Sequence, residues 1–337
     1  MFKRRLGRSN LKVSAMGLGG WAMGGPWNWL EADGSLEPEG WGKVEDAESM
    51  RAIQYALDSG ITLFDTAATY GCGHSEEILG QALAGWRDRV ILATKFGYVV
   101  DEEKRTVSDS EEVIPRIRQE CEDSLRRLKT DYIDLYQFHK HDYDLGKSAD
   151  VRDELEKLVE QGKIRWYGWS TDNPAGVQVF AQGPHCTAIQ HSLNMGMVVY
   201  DVPGMLAACG EHDQASINRS PLVGGMMTGK IKRDTTFPED DIRHYQEDYL
   251  RTDEAALRMQ HIEEVRSYFA EAGDPRTLAQ IALAWIWTRS ERTIPIPGFK
   301  TVAQVKENIQ AMEYGLLSDE QMQKMDEIFG RAPVIMK

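Results

Sequence analysis

Ile61-Thr62-Leu63-Phe64-Asp65-Thr66-Ala67-Ala68-Thr69-Tyr70-Gly71 sets an acid and a phenol five residues apart at the end of a short apolar run. Asp58-Ser59-Gly60 before it is helix-to-strand punctuation, and the β-branched and aromatic residues of the run favour a strand. Asp65 therefore closes a strand, and Tyr70 lies in the loop behind it. Further on, Arg89-Val90-Ile91-Leu92-Ala93-Thr94-Lys95-Phe96-Gly97 delivers a lysine at the C-terminal end of a second apolar run. A third run, Ile133-Asp134-Leu135-Tyr136-Gln137-Phe138-His139, delivers a histidine in the same place. In neighbouring parallel strands, about 5 Å apart, these side chains emerge at one rim, where alternating α/β chains build their sites.

The rest of the chain keeps the alternation. Helical periodicity at 46–58, 75–85 and 111–128 precedes the strands opening near Ile61, Val90 and Ile133. Helices at 151–162, 175–181 and 205–211 precede strands at 164–169, 187–190 and 214–217, and helices at 253–272 and 276–289 precede the last strand, 293–296. Helices at 302–312 and 318–328 close the chain, capped by Thr301 and Ser318. With 14–18 as the first strand there are eight, so the expected fold class is α/β, a single (β/α)8 TIM barrel domain over 1–337. An N-terminal β-hairpin around Leu6–Val13, in keeping with a lid, and an extra C-terminal helix complete it. Residues 25–45 and 219–250 lack periodicity and read as long loops. Gly17-Leu18-Gly19-Gly20-Trp21-Ala22 matches the dinucleotide pattern GxGxxA, but Gly24-Gly25-Pro26 stands where that motif must open a helix, and the reading is rejected.

The 337 residues, 42% of them apolar, suffice for a large core. The net charge of −14, with Lys and Arg scattered, weighs against nucleic acid or an anionic membrane and favours a small-molecule partner. Cys72, Cys121, Cys186 and Cys209 form no CxxC pair, so neither disulfides nor a metal site is expected, and reduced thiols suit a cytoplasmic protein. Lys3-Arg4-Arg5 begins like a twin-arginine signal, but Gly-rich polar sequence follows it, and export is not expected. Apolar runs such as 281–287 fall far short of the ~20 residues of a membrane helix.

A phenol with a pKa of about 10 is a poor acid at neutral pH. A lysine cation about 4 Å away favours the phenolate by about 4 kcal/mol at an effective dielectric of about 20. That is enough to bring Tyr70 toward about 7. Asp65 keeps Lys95 charged and oriented, and His139 hydrogen-bonds a substrate oxygen. The set suits protonation of a carbonyl oxygen while a hydride arrives from elsewhere. No Ser or Cys is paired with a base for acyl transfer. Singly, each member has an ordinary explanation as a surface aromatic, a solvated lysine or a core histidine. Their joint placement on successive strand ends carries the reading.

Phe64-Asp65-Thr66-Ala67-x-x-Tyr70-Gly71, Ala93-Thr94-Lys95-Phe96-Gly97 and Tyr136-Gln137-Phe138-His139 resemble the catalytic segments of the aldo-keto reductase superfamily. The resemblance extends over about residues 5–330 and is nearest to bacterial members that share ancestry with potassium-channel β subunits. It implies an NAD(P)H-dependent barrel in which Tyr70 is the general acid, Lys95 and Asp65 lower its pKa, and His139 orients the carbonyl. It further implies that Ser170 and Gln190 hold the nicotinamide carboxamide. Arg219, Ser220, Leu222 and Gly224 then belong to a pyrophosphate loop, and Gly298, Lys300, Thr301, Gln304, Glu307 and Asn308 to the adenosine segment. The helix starting at Thr301 makes an anion site and Lys300 adds charge for a 2′-phosphate, which favours NADPH/NADP+ over NADH. The chain departs from the family where Thr171 follows Ser170, with Asn173 two positions late, and where Arg219 replaces an aromatic that stacks on the nicotinamide. A guanidinium plane stacks on a ring or reaches a phosphate.

Trp21 is expected in the substrate pocket, with Trp27, Trp29 and Trp41 chiefly packing the long loop. Cys72 and His74 read as loop structure, and Asp240, Asp241 and Arg243 as a clamp over the cofactor or as solvated charge. The expected function is NADPH-dependent reduction of an aldehyde or ketone, with the proton from Tyr70. The alternatives are an NAD-dependent alcohol or polyol dehydrogenase on the same fold and a nucleotide-sensing regulatory subunit with little turnover. A metal-dependent hydrolase barrel is disfavoured for want of an early HxH on the first strand. The expected partner is a small carbonyl compound, without nucleic acid or membrane and with a homo-oligomer allowed. Its identity depends on loops 20–45, 140–150 and 219–250.

Overall fold

In a computed structural model, which describes residues 2–196 and 202–331, the eight apolar runs form one parallel sheet whose strands follow each other in chain order. They are β1 (Leu18–Gly19), β2 (Leu63–Asp65), β3 (Ile91–Phe96), β4 (Ile133–Phe138), β5 (Ile164–Ser170), β6 (Cys186–Ser192), β7 (Ala215–Arg219) and β8 (Thr293–Pro295). The sheet curls until its ends meet. Gly17 N–H donates to the Pro295 carbonyl at 3.0 Å and Gly19 N–H to that of Pro297 at 3.1 Å, and Gly19 pairs in parallel with Gly298. Only glycine allows this approach, since a Cβ on Gly19 would sit 2.6 Å from the Ile296 carbonyl oxygen. The arrangement is consistent with a (β/α)8 barrel.

Strand alternation decides which side chains reach the site. Leu63, Ala93, Leu135 and Ala188 belong to one buried cluster inside the curl. Phe64, Leu92, Tyr136 and Ile189 face outward into the larger core shared with the helices. Two residues beyond the inward set come Asp65, Lys95, Gln137 and Gln190, on the same inner face at the C-terminal rim, with Lys95 and Gln137 in register.

Helices Asp46–Asp58, His74–Ala82, Ile117–Leu128, Leu145–Glu160, Pro174–Phe180 and Val202–Glu211 follow β1 to β6 in turn, and Asp253–Glu271 and Leu278–Arg289 precede β8. Leu278–Arg289 starts on a Thr277–Gln280 capping box and buries every residue but Thr288, as a helix apolar on all its faces does. Val302–Tyr314 and Asp319–Ile328 close the chain, with Thr301 and Ser318 accepting N–H bonds as their caps.

Several expectations need correction. The hairpin pairs Lys3–Arg5 with Lys12–Ser14, but it covers the end of the sheet remote from the rim and is no lid over the site. Arg5 is paired with Asp213 there, Arg8 donates to the His212 carbonyl at 2.7 Å, and Thr187 Oγ1 donates to that of Leu6 at 2.7 Å. The expected first strand 14–18 is divided between hairpin and sheet, because Ser14 Oγ turns back onto the Met16 carbonyl at 2.7 Å. Residues 25–45 carry two short strands, Asn28–Leu30 and Leu36–Pro38, in a second sheet with Val99–Asp101 and Thr106–Ser108. Three-residue strands show no period, and the second partner of Asn28–Leu30 lies in a distant loop, at Thr106–Ser108. The helix expected at 151–162 starts at Leu145, because Asp144 Oδ1 accepts the Gly146 and Lys147 N–H groups at 2.7 and 3.1 Å. Pro115 holds Ile114–Arg116 in a 3-10 turn ahead of Ile117–Leu128, and 219–250 contains 3-10 turns at Val223–Thr228 and Ile242–Gln246.

Candidate active site

Lys95 is fully buried, and three oxygens share its ammonium. Asp65 Oδ1 accepts at 2.5 Å, the Thr66 carbonyl at 2.9 Å and the Tyr70 hydroxyl at 3.1 Å. Tyr70 rides the turn after β2, where its N–H donates to the Ala67 carbonyl at 3.1 Å. His139 follows β4 and stands edge-on to Tyr70, with ring centroids 5.9 Å apart. Trp21 lies nearly parallel to Tyr70 at 5.9 Å and walls the other side. The residues expected from four strand ends therefore converge.

Burial alone would lower the Lys95 pKa, but the neighbouring charges of Asp65 and Tyr70 carry it above that of free lysine. For Tyr70 the balance runs against the expectation from sequence. Burial raises the phenol, the Lys95 charge lowers it and Asp65 raises it, and the outcome lies above the usual tyrosine value. Tyr70 accordingly holds its proton at neutral pH. Burial, then the charges of Lys95 and Arg219, push His139 well below the usual histidine value. Its ring is neutral and donates a single N–H.

A cavity of about 890 Å³ opens above this floor. Asp65, Tyr70 and His139 line it together with Trp21, Ser170, Gln190, Arg219, Ser220, Leu222, Gly224, Gly298, Lys300, Gln304, Glu307 and Asn308. Lys95 stands behind Tyr70, and Thr301 stands outside the lining as the cap of Val302–Tyr314. Ser220, Val223, Gly224 and Gly225 have φ of 53°, 50°, 60° and 99°. These left-handed residues tighten the turn, in which the Val223 and Gly225 N–H groups donate to the Ser220 and Leu222 carbonyls at 3.1 and 3.0 Å. Lys300, half-buried, donates to the Trp41 carbonyl, and burial holds its pKa below the usual lysine value against the pull of Asp241. The glycine-rich turn on the cavity wall, the Lys300 cation and the helix start at Thr301 together fit a phosphate-bearing dinucleotide.

A strap crosses this groove. Ile242 N–H donates to the Gly40 carbonyl at 2.7 Å, Trp41 pairs with Asp241, and Arg243 grips Asp241 at 2.9 and 2.6 Å while lying over the Trp41 ring. Asp241 and Arg243 therefore clamp 240–243 onto loop 40–42.

Some positions are built differently from expectation. Gln190 Nε2 donates to Asp65 Oδ2 at 2.9 Å and to Gln137 Oε1 at 3.3 Å, so only its carbonyl oxygen is left for a ligand amide. Arg219 is paired with Asp172, which also accepts the Ser192 N–H at 2.7 Å. Asn173 caps Pro174–Phe180 through Ala175 N–H at 2.9 Å, and only Ser170 of its segment lines the cavity. Trp27, Trp29 and Trp41 line the cavity as well, while Trp27 and Trp29 also pack in the loop cluster with Cys72 and Val107, as expected. His74 bonds Asp46 at 2.9 Å, and Cys72 packs with Trp27 and Val107, both as loop structure.

Sequence reasoning missed Gln137, Asp172, Glu39 and Tyr98. Gln137 was within reach, since it lies two residues beyond the inward Leu135 and donates to Asp65 Oδ2 at 3.2 Å. Tyr98 stands edge-on to His139 at 5.7 Å, and Glu39 lines the cavity from the unforeseen second sheet. Among the described residues, no group of three or more His, Cys, Asp or Glu is placed to hold a metal, and no helix is long and apolar enough to cross a membrane.

Known proteins are similar to this chain in sequence and in fold. Aldo-keto reductase YhdN of Bacillus subtilis (strain 168) is 30% identical over 319 residues, 93% of this chain and 89% of that protein. Aldo-keto reductase yakc [NADP(+)] of Schizosaccharomyces pombe is 29% identical over 88% of this chain and 86% of its own. The structure of the glycerol dehydrogenase AKR11B4 from Gluconobacter oxydans matches with a TM-score of 0.81 and 31% identity over 99% of each chain. The sequence pattern of the aldo/keto reductase family runs from residue 15 to residue 329, through every strand of the curled sheet, and the chain belongs to that family.

Proposed function

We propose that the protein is an NADPH-dependent reductase that converts an aldehyde or ketone to an alcohol, built as a single closed barrel domain and working in the cytoplasm. The observation that carries this reading is the Lys95 ammonium set between Asp65 and the Tyr70 hydroxyl on the cavity floor. Bound NADPH supplies the hydride. Tyr70, protonated at neutral pH, gives its proton to the carbonyl oxygen, and the neutral His139 donates a hydrogen bond to the same oxygen. Lys95 and Asp65 hold the phenol in place. The Ser170 hydroxyl and Gln190 carbonyl would orient the nicotinamide amide, the Ser220–Gly225 turn would lie along the pyrophosphate, and Lys300 would meet the 2′-phosphate. The NADP(+) in the name of the fission-yeast relative supports this cofactor.

Likeness to a glycerol dehydrogenase supports the reverse reaction, oxidation of an alcohol or polyol, on the same residues. The raised Tyr70 pKa favours reduction at neutral pH. Tyr70→Phe tests the assignment. Expected is loss of NADPH oxidation by about 100-fold or more with NADPH binding retained, and a Phe variant that turns over normally removes Tyr70 as the proton donor.

A further inference from the structure

The backbone just behind Tyr70 is held in an unfavourable shape. Gly71, Cys72 and Gly73 have φ of 63°, 54° and 93°, left-handed residues in succession, and the middle one bears a side chain that disfavours this region. Such backbone persists only where its surroundings over-determine it. Gly24 closes one side, since a Cβ on Gly71 would sit 2.0 Å from the Gly24 carbonyl oxygen. Arg127, from the helix Ile117–Leu128, closes the other, since a Cβ on Gly73 would sit 2.5 Å from the Arg127 Cδ.

The Arg127 guanidinium is buried and fixed at each nitrogen. Nη1 donates to Glu102 at 2.8 Å, Nη2 to Ser124 Oγ at 3.3 Å and Nε to Glu76 Oε2 at 2.6 Å. Glu76 is fully buried in the first turn of His74–Ala82, the helix that the Tyr70 turn leads into. Its other oxygen, Oε1, accepts the Thr94 hydroxyl at 2.5 Å. Thr94 lies on the outer face of β3, one residue before Lys95 on the inner face. One carboxylate thus ties the strand that delivers Lys95 to the helix start that follows Tyr70. Ser75 binds the same helix start to Tyr70 itself, its N–H donating to the Tyr70 carbonyl at 3.2 Å.

Neither Glu76 nor Arg127 lines the cavity, so neither touches what the cavity holds. A buried ion pair is also a poor route to stability, because apolar residues of the same volume commonly do as well. What this pair supplies is direction. We infer that Glu76 and Arg127 are positioning residues, which clamp the left-handed turn to β3 and so keep the Tyr70 hydroxyl on the Lys95 ammonium during proton transfer. The inference rests on the reductase reading above.

A variant of the strand contact and a variant of the ion pair test it. Thr94→Val unties β3 and leaves the pair intact, whereas Glu76→Met with Arg127→Met replaces the pair by apolar side chains. Melting temperature reports folding, and NADPH titration counts the competent sites. Reduction of a panel of short aldehydes and ketones is then followed with NADPH and with NADPH deuterated at the transferred position. Expected are NADPH affinity within about twofold of the wild type and kcat per NADPH-binding site lower by about tenfold or more, the effect of a misplaced reacting group. The isotope effect on kcat should increase, because chemistry replaces product release as the slow step. The pH profile of alcohol oxidation should move upward, since a Tyr70 drawn away from Lys95 loses the charge that lowers its pKa. Wild-type kcat and isotope effect in Thr94→Val or in the folded double variant overturn the inference. A loss of rate that only matches a loss of NADPH-binding sites assigns the pair to folding and overturns it as well, and where the double variant does not fold, Thr94→Val decides alone. NADPH binding by the wild type without oxidation by any member of the panel marks failure of the reductase reading itself and takes the inference with it.

Discussion

Lys95 donates to the Tyr70 hydroxyl at 3.1 Å from an ammonium that Asp65 already holds at 2.5 Å. The lysine charge is therefore largely matched before it reaches the phenol. Burial, with the Asp65 charge beside it, outweighs the opposing pull of Lys95 and Arg219 on Tyr70, and the phenol keeps its proton. The trio positions a donor more than it manufactures a phenolate.

The pH dependence of each direction follows. Reduction needs protonated Tyr70, whose pKa lies above the usual value, so its kcat should stay flat through neutral pH and fall only above about 10. Oxidation needs the phenolate and should rise with pH over the same range. Profiles of kcat in both directions check this, and a reduction limb falling near neutrality in the wild type but absent on removal of Lys95 would contradict it.

Lys95→Met separates catalysis from folding. It leaves Asp65 buried beside Gln137 and Gln190 without its cation, a loss of about 3–5 kcal/mol for a broken buried pair. Turnover should drop about 100-fold or more. Asp65→Asn combined with Lys95→Met should recover the melting temperature but not the rate. Recovery of both would show that the pair serves stability alone.

Arg219 is fixed by Asp172, whose other oxygen takes the Ser192 N–H. A guanidinium held in one plane beside Ser220 suits stacking or phosphate contact, and a freed one does not. Asp172→Ala should therefore weaken NADPH binding by about tenfold, as for loss of a cation–π or charged contact. Arg219→Tyr, which restores a flat ring, should bind NADPH nearly as well as the wild type. Fluorescence titration measures both, and an unaltered affinity in Asp172→Ala removes the positioning role.

The fold was legible because the eight strands are apolar, and two of them place Asp65 and Lys95 by simple alternation after Leu63 and Ala93. The second sheet was not, since Asn28–Leu30 gains its order from pairing with Thr106–Ser108, and Leu36–Pro38 from pairing with Asn28–Leu30, rather than from their own pattern. Glu39 stands next to that sheet, so this part of the cavity lining stayed hidden while the reacting residues did not. The direction of the Tyr70 shift was missed for a related reason. Sequence puts Lys95 near the phenol but does not reveal the depth of burial or that Asp65 takes the shorter bond.

Lys300 joins three elements, because its ammonium meets the Trp41 carbonyl and Trp41 is bridged to Asp241 on the strap. A 2′-phosphate competes with a neutral carbonyl for that ammonium and wins on charge. Lys300→Met should raise the KM for NADPH about tenfold or more, the worth of a charge-assisted bond, and leave that for NADH within about twofold. An equal change for both cofactors would assign Lys300 to holding the strap rather than to the phosphate.

At the remote end, Asp213 joins the N-terminal hairpin to the sheet by accepting from Arg5 and from Arg292 at 2.8 Å. The Arg5 bond, opposed by burial and helped by Arg292, lowers its pKa to about 2, against about 3.9 in an unfolded chain. A depressed carboxylate stabilises the fold above the unfolded value and stops doing so as pH falls through the folded one. The contribution is thus complete above about pH 4 and gone below about pH 2. Arg5 and Asp213 are 39% and 43% exposed, so solvent screening limits the effect to under about 1 kcal/mol. Asp213→Asn should lower the melting temperature slightly at neutral pH, and the gap to the wild type should close between about pH 4 and pH 2. A gap that persists at pH 2 would trace the loss to the hydrogen bonds of the hairpin rather than to its charge.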